Sequence, residues 1–218
     1  MNDDAEERDF ASPPCAMADF PLPLPPAAVP QMRREQRARL LAERQAIPAE
    51  ERARLADGVA EGLDRLLGDV TGRVISAYWP IKAELDLRDW MTRAQARGAR
   101  IALPLVVAKA QPLRFREWWP GCGMERGVWN ILQPAGTPEL TPDIALAPLV
   151  GFDASGYRLG YGGGFFDRTL AALGPGARAI GVGIASARMP TIHPQPHDIP
   201  MDAIVTGPDP VLIRGWQA

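Results

Sequence analysis

Two stretches near the beginning of the sequence have the spacing of apolar and polar positions that is typical of α-helices. Gln31–Ala46 is dense in Arg, Glu, Gln, Leu and Ala, which all favour a helix. A second helix is predicted to begin at Pro48, which precedes two glutamates, and to end at Gly68. Its apolar side chains fall at helical spacing, at Leu55, Val59, Leu63, Leu66 and Leu67.

Further along the chain, short apolar runs typical of strands alternate with helices. The predicted strands are Val74–Trp79, Arg100–Val107, Leu113–Trp118 at an edge, Ile144–Val150, Ala179–Ile184 and Ala203–Thr206. One helix follows Asp86 and stops at Gly98, and another is predicted over Phe165–Leu173. This alternation predicts an α/β fold, a three-layer α/β/α arrangement with a mostly parallel sheet. Ligands of such sheets bind at the carboxyl ends of the strands.

The first 30 residues differ in composition from the rest. They contain seven of the 23 prolines, and six acidic residues against one basic residue, Arg8. This stretch therefore has a charge of −5, and the remainder carries +3 of the total of −2. The prolines of residues 21–30 favour extended polyproline geometry. We interpret residues 1–29 as a flexible, proline-rich acidic extension and residues 30–218 as one α/β domain.

Composition excludes several classes of protein. No apolar run reaches the roughly 18–20 residues that a membrane-spanning helix needs, and the acidic start has no signal-peptide pattern. With 24 basic and 26 acidic residues, the chain lacks the charge of a surface built for nucleic acid. Cys15 and Cys122 lie far apart and outside any C-x-x-C motif, which argues against a disulfide scaffold or a cysteine zinc site. We expect a cytoplasmic protein.

The segment from Gly151 to Arg168 contains the strongest chemical signal. Four glycines fall within five residues, and a helix is predicted to begin directly after them. Backbone N–H groups in such a loop, together with a helix N-terminus and the cations Arg158 and Arg168, suit a phosphate group. Asp167 could then hold a metal ion that itself carries phosphate. A structural glycine turn with a capping aspartate is the alternative, since neither a P-loop nor G-x-G-x-x-G is present.

Three other segments are weaker candidates. Glu84 follows the first strand and could accept hydrogen bonds from an aminopyrimidine-like edge, or it could be a solvated acid or a helix cap. Arg33 and Arg37 share a helix face and could clamp a polyphosphate, although arginine-rich helices are often solvated faces or weak RNA contacts. Asp198 or Asp202 could reach a magnesium ion, or their segment could be a rigid proline loop. Tryptophans 118, 119 and 129 could stack on a flat ring or belong to the core.

Together these segments resemble the 5-formyltetrahydrofolate cyclo-ligase family, whose members are also called 5,10-methenyltetrahydrofolate synthetases. Arg158–Asp167 is similar to the family's nucleotide loop, R-L-G-x-G-x-G-[YF]-[YF]-D. The resemblance covers Gln31 to Thr206. Its further matches, in the same order and spacing, are Glu84 within Ala-Glu-Leu-Asp, Val128–Pro134, and His197–Asp202 before the last strand.

The resemblance implies a fold shared with sugar-phosphate isomerases and CoA transferases. It also implies that ATP and 5-formyltetrahydrofolate give 5,10-methenyltetrahydrofolate, ADP and phosphate, with Mg2+ as cofactor. Phosphorylation turns the formyl oxygen into a good leaving group, and ring closure follows. Such a site needs cations on the phosphates and accurate positioning more than a strong base. We expect a monomer whose partners are these two small molecules, with no membrane or nucleic-acid partner.

The resemblance also assigns roles to individual residues. Arg158 and Asp167 are expected to be catalytic, and Asp167 and Asp198 to bind the metal. The folate side comprises Trp79, Glu84 and Trp129. Arg33 stands where the family has lysine, and Phe166 where it often has tyrosine. The expected ATP-binding residues are Arg33, Arg37, Arg158, Leu159, Gly160, Tyr161, Gly162, Gly163, Gly164, Phe165 and Phe166.

Two other functions compete with this interpretation. A paralogue of the same fold could hold nucleotide or RNA without catalysis, which the basic first helix would favour. The joint presence of Glu84, Asp167 and Asp198 argues against a pure binder, which needs no such set of carboxylates. An enzyme resembling sugar-phosphate isomerases or CoA transferases is the second rival, but it would not need an ATP loop with paired arginines.

Overall fold

The computed structural model describes residues 24–212. Its helices are α1 (Val29–Ala46), α2 (Ala49–Leu67), α3 (Arg88–Ala96) and α4 (Phe165–Leu173). Most of the extension predicted over residues 1–29 lies outside the described residues. Its last member differs from the expectation, because Val29 is buried and begins α1, two residues earlier than the sequence indicates.

The strands include all six that the sequence predicts. They are β1 (Val74–Ser76), β2 (Arg100–Leu105), β3 (Arg114–Trp118), β4 (Met124–Arg126), β5 (Leu132–Pro134), β6 (Ile144–Pro148), β7 (Gly151–Phe152), β8 (Arg158–Leu159), β9 (Arg178–Val182), β10 (Ala203–Val205) and β11 (Val211–Leu212). Several end earlier than expected, β1 by three residues, because the chain turns into loops at the carboxyl edge of the sheet. The hairpins β4–β5 and β7–β8 were not predicted.

Seven of these strands form one sheet in the order β11-β10-β9-β6-β1-β2-β3. The five central strands are parallel, and β3 and β11 pair antiparallel at the two edges. This confirms the mostly parallel α/β sheet and the edge position of β3. The likeness to sugar-phosphate isomerases and CoA transferases stays a prediction.

The central strands are covered on both faces. Four consecutive residues of β6, Ile144 to Ala147, are buried, as are Ile101, Ala102 and Leu103 of β2. Because successive side chains of a strand point to opposite faces, unbroken burial means that helices or loops cover both sides. On one side α2 and α3 are neighbours, since the indole of Trp90 donates to Asp64 at 2.9 Å. No helix among residues 24–212 is long and apolar enough to cross a membrane.

The close approach of α2 to the end of β10 depends on a glycine. A Cβ at Gly62 would lie 2.1 Å from the carbonyl oxygen of Gly207 and 2.8 Å from a methyl carbon of Val205. Both distances are far below van der Waals contact, so any larger residue must push the helix away from the sheet.

Gly62→Ala should therefore destabilise the protein. We expect the free energy of unfolding to fall by about 2–3 kcal/mol, measured by urea denaturation. Gly58→Ala, one turn earlier on α2, is the matched control, because its Cβ would meet Pro208 at an ordinary 3.5 Å. That variant should be neutral or more stable by up to about 1 kcal/mol, since alanine favours a helix. Equal stability of the two variants would contradict this account of the packing.

Candidate active site

One face of α1 carries three arginines, which we call the arginine face: Arg33, Arg37 and Arg44. Their spacing of four and seven residues places them on one side of a helix, with the buried Leu40 between them. Each reaches a different segment at the carboxyl edge of the sheet. These are the Asp198 loop (residues 190–202), the glycine loop (residues 160–164) and the Glu84 loop (residues 77–87).

Arg33 is bound into the Asp198 loop. Its guanidinium donates to the carbonyls of Ile192 and His193 at 3.0 and 2.9 Å, and to both carboxylate oxygens of Asp198. The side chains of this ion pair are only 12% and 8% exposed. The carboxylate of Asp198 also accepts the N–H of Gln195 at 2.6 Å. All the hydrogen bonds that Arg33 donates among the described residues thus go to the Asp198 loop.

The charge of Asp198 depends on these donors. Burial by itself would raise the pKa of the Asp198 carboxyl. The hydrogen bonds from Arg33 and the Gln195 N–H, together with the nearby positive charge, outweigh burial and hold that pKa below its usual range. Asp198 is therefore ionised at neutral pH.

Arg37 lies against the glycine loop. Its Nε donates to the carbonyl oxygen of Gly160 at 2.7 Å, and within the described residues its two terminal nitrogens have no hydrogen-bond partner. A Cβ at Gly162 would lie 3.3 Å from the guanidinium carbon, and the φ of +93° at this position suits only glycine. Burial, and then the charges of Arg33 and Arg34, lower the pKa of Arg37. The loop and the guanidinium thus form one electropositive surface.

Arg158 and Asp167 meet where the glycine loop enters α4. The guanidinium of Arg158 is almost fully buried, lies 3.2 Å from one carboxylate oxygen of Asp167 and packs over the ring of Phe166. The same oxygen of Asp167 accepts the N–H of Ile199 at 3.2 Å, and its other oxygen has no partner among the described residues. Burial lowers the pKa of Arg158, while the charges of Asp167 and Asp198 oppose that change. Both carboxylates therefore act on this cation.

Glu84 lies buried between its own loop and the glycine loop, with 7% of its surface exposed. One carboxylate oxygen accepts the hydroxyl of Tyr161 at 2.7 Å, and the other accepts the N–H of Ile81 at 2.9 Å. Burial raises the pKa of the Glu84 carboxyl, although these two hydrogen bonds and the charge of Arg44 oppose the rise. The solvated acid considered from the sequence is excluded. Asp86, rather than Glu84, accepts the N–H of Arg88 at the start of α3.

The two tryptophans expected beside folate lie on different segments, Trp79 in the Glu84 loop and Trp129 in the β4–β5 hairpin. Trp79 is half-buried, with the guanidinium of Arg88 4.9 Å from its ring centroid. Trp129 is 66% exposed at the tip of the β4–β5 hairpin and meets Phe165 edge to face, with ring centroids 5.5 Å apart. Trp129 therefore joins the site through the start of α4. Trp118, in contrast, is a core residue of β3.

A cavity of about 440 Å3 opens beside Glu84. Its walls are the first half of α2, from Ala49 to Asp57, and the Glu84 loop from Pro80 to Asp86. Among the described residues, its lining includes neither the glycine loop nor Trp129. Glu84 is consequently the point at which this cavity and the glycine loop meet.

The sequence pattern of the 5-formyltetrahydrofolate cyclo-ligase family matches residues 29–207. The chain belongs to the 5-formyltetrahydrofolate cyclo-ligase family. The 5-formyltetrahydrofolate cyclo-ligase of Mycolicibacterium smegmatis is 30% identical over 190 residues, which are 81% of this chain and 94% of the relative. The chain is thus an enzyme of folate one-carbon metabolism rather than a non-catalytic binder.

Solved structures agree with this cyclo-ligase assignment. The 5,10-methenyltetrahydrofolate synthetase of Aquifex aeolicus is 27% identical, with a TM-score of 0.73 over 86% of this chain and 95% of its own. The 5,10-methenyltetrahydrofolate synthetase of Mycoplasma pneumoniae, at 22% identity, has a TM-score of 0.66 over 81% of this chain and 99% of its own. The second likeness supports the fold alone.

The cyclo-ligase fold brings most of the residues predicted from the sequence to one edge of the sheet. Arg33, Arg37, Arg158, Asp167 and Asp198 form one group around the glycine loop. Arg44, for which the sequence predicts no role, donates to the Glu84 loop and to Tyr161. Its helical spacing from Arg33 and Arg37 was the available signal.

The carboxylates suit a magnesium ion that arrives with a nucleotide. No group of three or more His, Cys, Asp or Glu side chains within residues 24–212 could hold a metal ion by itself. Asp167 offers one oxygen that no described residue engages, whereas both oxygens of Asp198 are engaged by Arg33 and Gln195. Mg2+ commonly takes one or two carboxylates and completes its shell with phosphates and water. The donor set therefore fits a metal–nucleotide complex.

Asp198→Asn should lower stability at neutral pH. Breaking the buried pair with Arg33 should cost about 1–3 kcal/mol in the free energy of unfolding. Because the folded state lowers the pKa of Asp198, its contribution is complete above the ordinary aspartate pKa of about 4 and is lost as the pH falls further. The difference between wild type and variant should shrink accordingly in acid. Urea denaturation at several pH values measures both effects.

The control for this prediction is Glu43→Gln. It breaks the ion pair with Arg39 on the outer face of α1, where both side chains are about half exposed. That change should stay within about 0.5 kcal/mol. A loss of the same size in both variants would show that the pair between Arg33 and Asp198 is energetically an ordinary surface contact.

Proposed function

We propose that the protein converts 5-formyltetrahydrofolate to 5,10-methenyltetrahydrofolate with hydrolysis of ATP to ADP and phosphate. The observation that carries this proposal is the surface formed by Arg37 and the glycine loop, next to the Arg158–Asp167 pair. It offers cations, backbone N–H groups and a helix N-terminus to an anion, together with a carboxylate oxygen that has no partner within residues 24–212. Phosphoryl transfer requires this combination of groups.

The ATP phosphates are assigned to the glycine loop. The two terminal nitrogens of Arg37, which have no partner in the described part of the chain, can donate to phosphate oxygens, and the first turn of α4 adds its N–H groups. Arg158 supplies a fixed positive charge beside Asp167. Arg33, which the sequence assigned to phosphate, contributes here through the Asp198 loop, because its donors are already engaged there.

Magnesium would be held by Asp167, with Asp198 beside the same arginine. When bound, Mg2+ screens the phosphate charge and favours transfer of the γ-phosphoryl group. Arg158 keeps the two carboxylates at one place by its charge. Asp167 is itself oriented by the N–H of Ile199, so its open oxygen has a defined direction.

The pterin end of folate is assigned to Glu84. A buried carboxylate that already accepts one hydrogen bond per oxygen retains a lone pair on each for the N–H groups of an aminopyrimidine edge. Trp129, exposed and supported by Phe165, is available to stack on the flat parts of the substrate.

The chemistry then follows from positioning. The first folate nitrogen carries the formyl group. The oxygen of this group attacks the γ-phosphorus of ATP, and the bond from that phosphorus to the ADP oxygen breaks. The second nitrogen attacks the activated formyl carbon, phosphate leaves with the former formyl oxygen, and this nitrogen loses its proton to solvent. The protein's residues hold the two substrates in line and stabilise the transferred charge, so no strong base is needed.

Asp167→Asn is expected to abolish nearly all turnover without unfolding the protein. The amide keeps the size of the side chain but removes the charge that a metal–nucleotide complex needs. The assay follows the absorbance of the methenyl product with and without ATP and Mg2+. Asp209→Asn, at an exposed carboxylate paired with Arg65, should behave as wild type. Wild-type turnover that is independent of ATP, or normal Mg2+-dependent turnover of Asp167→Asn, would refute the proposal.

Glu84→Gln should raise the KM for 5-formyltetrahydrofolate much more than the KM for ATP. Replacing a charged acceptor by an amide should cost about 1.5–3 kcal/mol of binding, which corresponds to about 10–100-fold in that KM. Glu61→Gln, on the exposed side of α2, is the control and should change neither constant. Steady-state kinetics with each substrate varied in turn measures the split. Equal effects on both KM values would place Glu84 outside the folate site.

The cytoplasmic location and the monomeric state expected from the sequence stay predictions.

A further inference from the structure

Tyr161 connects the glycine loop to the carboxylate of Glu84. Its hydroxyl oxygen lies 2.5 Å from a terminal nitrogen of Arg44 and 2.7 Å from a carboxylate oxygen of Glu84. Arg44 and Glu84 are both buried, while the ring of Tyr161 is partly exposed. A cation on α1, a hydroxyl on the glycine loop and a carboxylate on the Glu84 loop therefore form one chain of hydrogen bonds.

The direction of this chain is determined by chemistry. A guanidinium has only protons to donate, so the hydroxyl of Tyr161 must accept from Arg44. Its single proton is then available only to Glu84, which accepts it. A hydroxyl polarised by a cation in this way is a stronger donor to the carboxylate. The Glu84 oxygen consequently has a fixed donor on one side and a free lone pair on the other.

We propose that Tyr161 and Arg44 are positioning residues for folate, which hold the Glu84 carboxylate in the orientation that accepts the pterin edge and connect it to the loop that binds ATP. The inference rests on the proposed role of Glu84. Neither residue needs to touch the reacting atoms. Tyr161 lies between Gly160 and Gly162, so a movement of the glycine loop moves the hydroxyl on which Glu84 depends.

Arg44 serves the same site from its other nitrogens. It donates to the carbonyl oxygens of Lys82 and Leu149 at 3.2 and 3.4 Å. Lys82 and Ala83 both have left-handed backbone conformations, with φ of 47° and 60°, which residues other than glycine rarely adopt. The hydrogen bond from Arg44 to the carbonyl oxygen of Lys82 holds the turn that leads directly into Glu84. A residue that served only the core would not require a cation at this place.

The charged and titratable groups around Glu84 influence the pKa of its carboxyl. Arg44 approaches from α1, Lys82 lies over the ring of Tyr161 with 5.4 Å to its centroid, and Tyr78 lies nearby on the strand side. Arg52 and Asp57 of α2, with Asp86 and Asp89, line the adjoining cavity. The hydroxyl of Tyr161 lowers the pKa of Glu84 against the rise that burial causes, so its removal should raise that pKa further.

The test is Tyr161→Phe, which removes the hydroxyl and keeps the ring. We expect the KM for 5-formyltetrahydrofolate to rise about 10-fold, while the KM for ATP changes less than about twofold. The acid limb of kcat/KM for folate should move to higher pH, because the loss of the hydroxyl removes a hydrogen bond that lowers the pKa of Glu84. Tyr157→Phe is the matched control, because within the described residues its hydroxyl has no hydrogen-bond partner.

Arg44→Lys provides a second test by the same comparison of the KM for 5-formyltetrahydrofolate with the KM for ATP. Its control is Arg39→Lys, on the exposed face of the same helix. Lysine keeps the charge but cannot donate to three acceptors with one planar group. If Arg44→Lys does not fold, as judged by circular dichroism, Tyr161→Phe decides alone. In a Glu84→Gln background, Tyr161→Phe should add much less than its effect in wild type, because the charged acceptor is already gone.

Calorimetry without ATP, at several pH values, measures the equilibrium binding of 5-formyltetrahydrofolate. It distinguishes failure of the proposed reaction from failure of the inference about Tyr161 and Arg44. A wild type that binds this folate but yields no ATP-dependent product overturns the proposed reaction and leaves the inference standing if Tyr161→Phe binds more weakly. An unchanged folate affinity and an unchanged pH profile in Tyr161→Phe overturn the inference. Additive effects of Tyr161→Phe and Glu84→Gln overturn it as well.

Discussion

The site depends on the contact between the arginine face of α1 and the loops at the carboxyl edge of the sheet. Loops that leave parallel strands end in carbonyl groups that no neighbouring strand satisfies. Arg33, Arg37 and Arg44 each donate to such carbonyls, in three different loops. A single helix thereby sets the relative positions of segments that are far apart in the sequence. Because a guanidinium offers five donors in one plane, it can serve several acceptors at once.

The same contact also organises charge. Two cations of the arginine face have an anion within reach, directly for Arg33 and through Tyr161 for Arg44. Arg37 differs, since among the described residues it has only a carbonyl partner and two arginine neighbours. Positive charge that residues 24–212 leave without a counter-charge is the physical basis for assigning an anionic substrate to this point. Burial of the paired groups limits screening by salt.

Two features divide the site into a phosphate side and a folate side. The glycine loop approaches Arg37 so closely that a Cβ at Gly162 would lie 3.3 Å from the guanidinium carbon. The Glu84 loop instead closes around a carboxylate, beside a cavity that the glycine loop does not line. Tyr161 belongs to the first loop by sequence and to the second by its hydrogen bonds. The hydroxyl group of Tyr161 therefore links the phosphate side of the site to the folate side.

Local patterns in the sequence determined the helices, the six predicted strands and the glycine segment, because helical period, β-branched runs and glycine spacing act over a few residues. The resemblance then indicated Glu84, Asp167 and Asp198 as site residues. The sequence could not show that Asp198 is engaged by Arg33, that Trp129 packs against Phe165, or that Arg44 belongs to the site. Partners 38 to 165 residues apart along the chain are decided only when α1 packs across the edge of the sheet, since that packing alone sets which donor meets which acceptor.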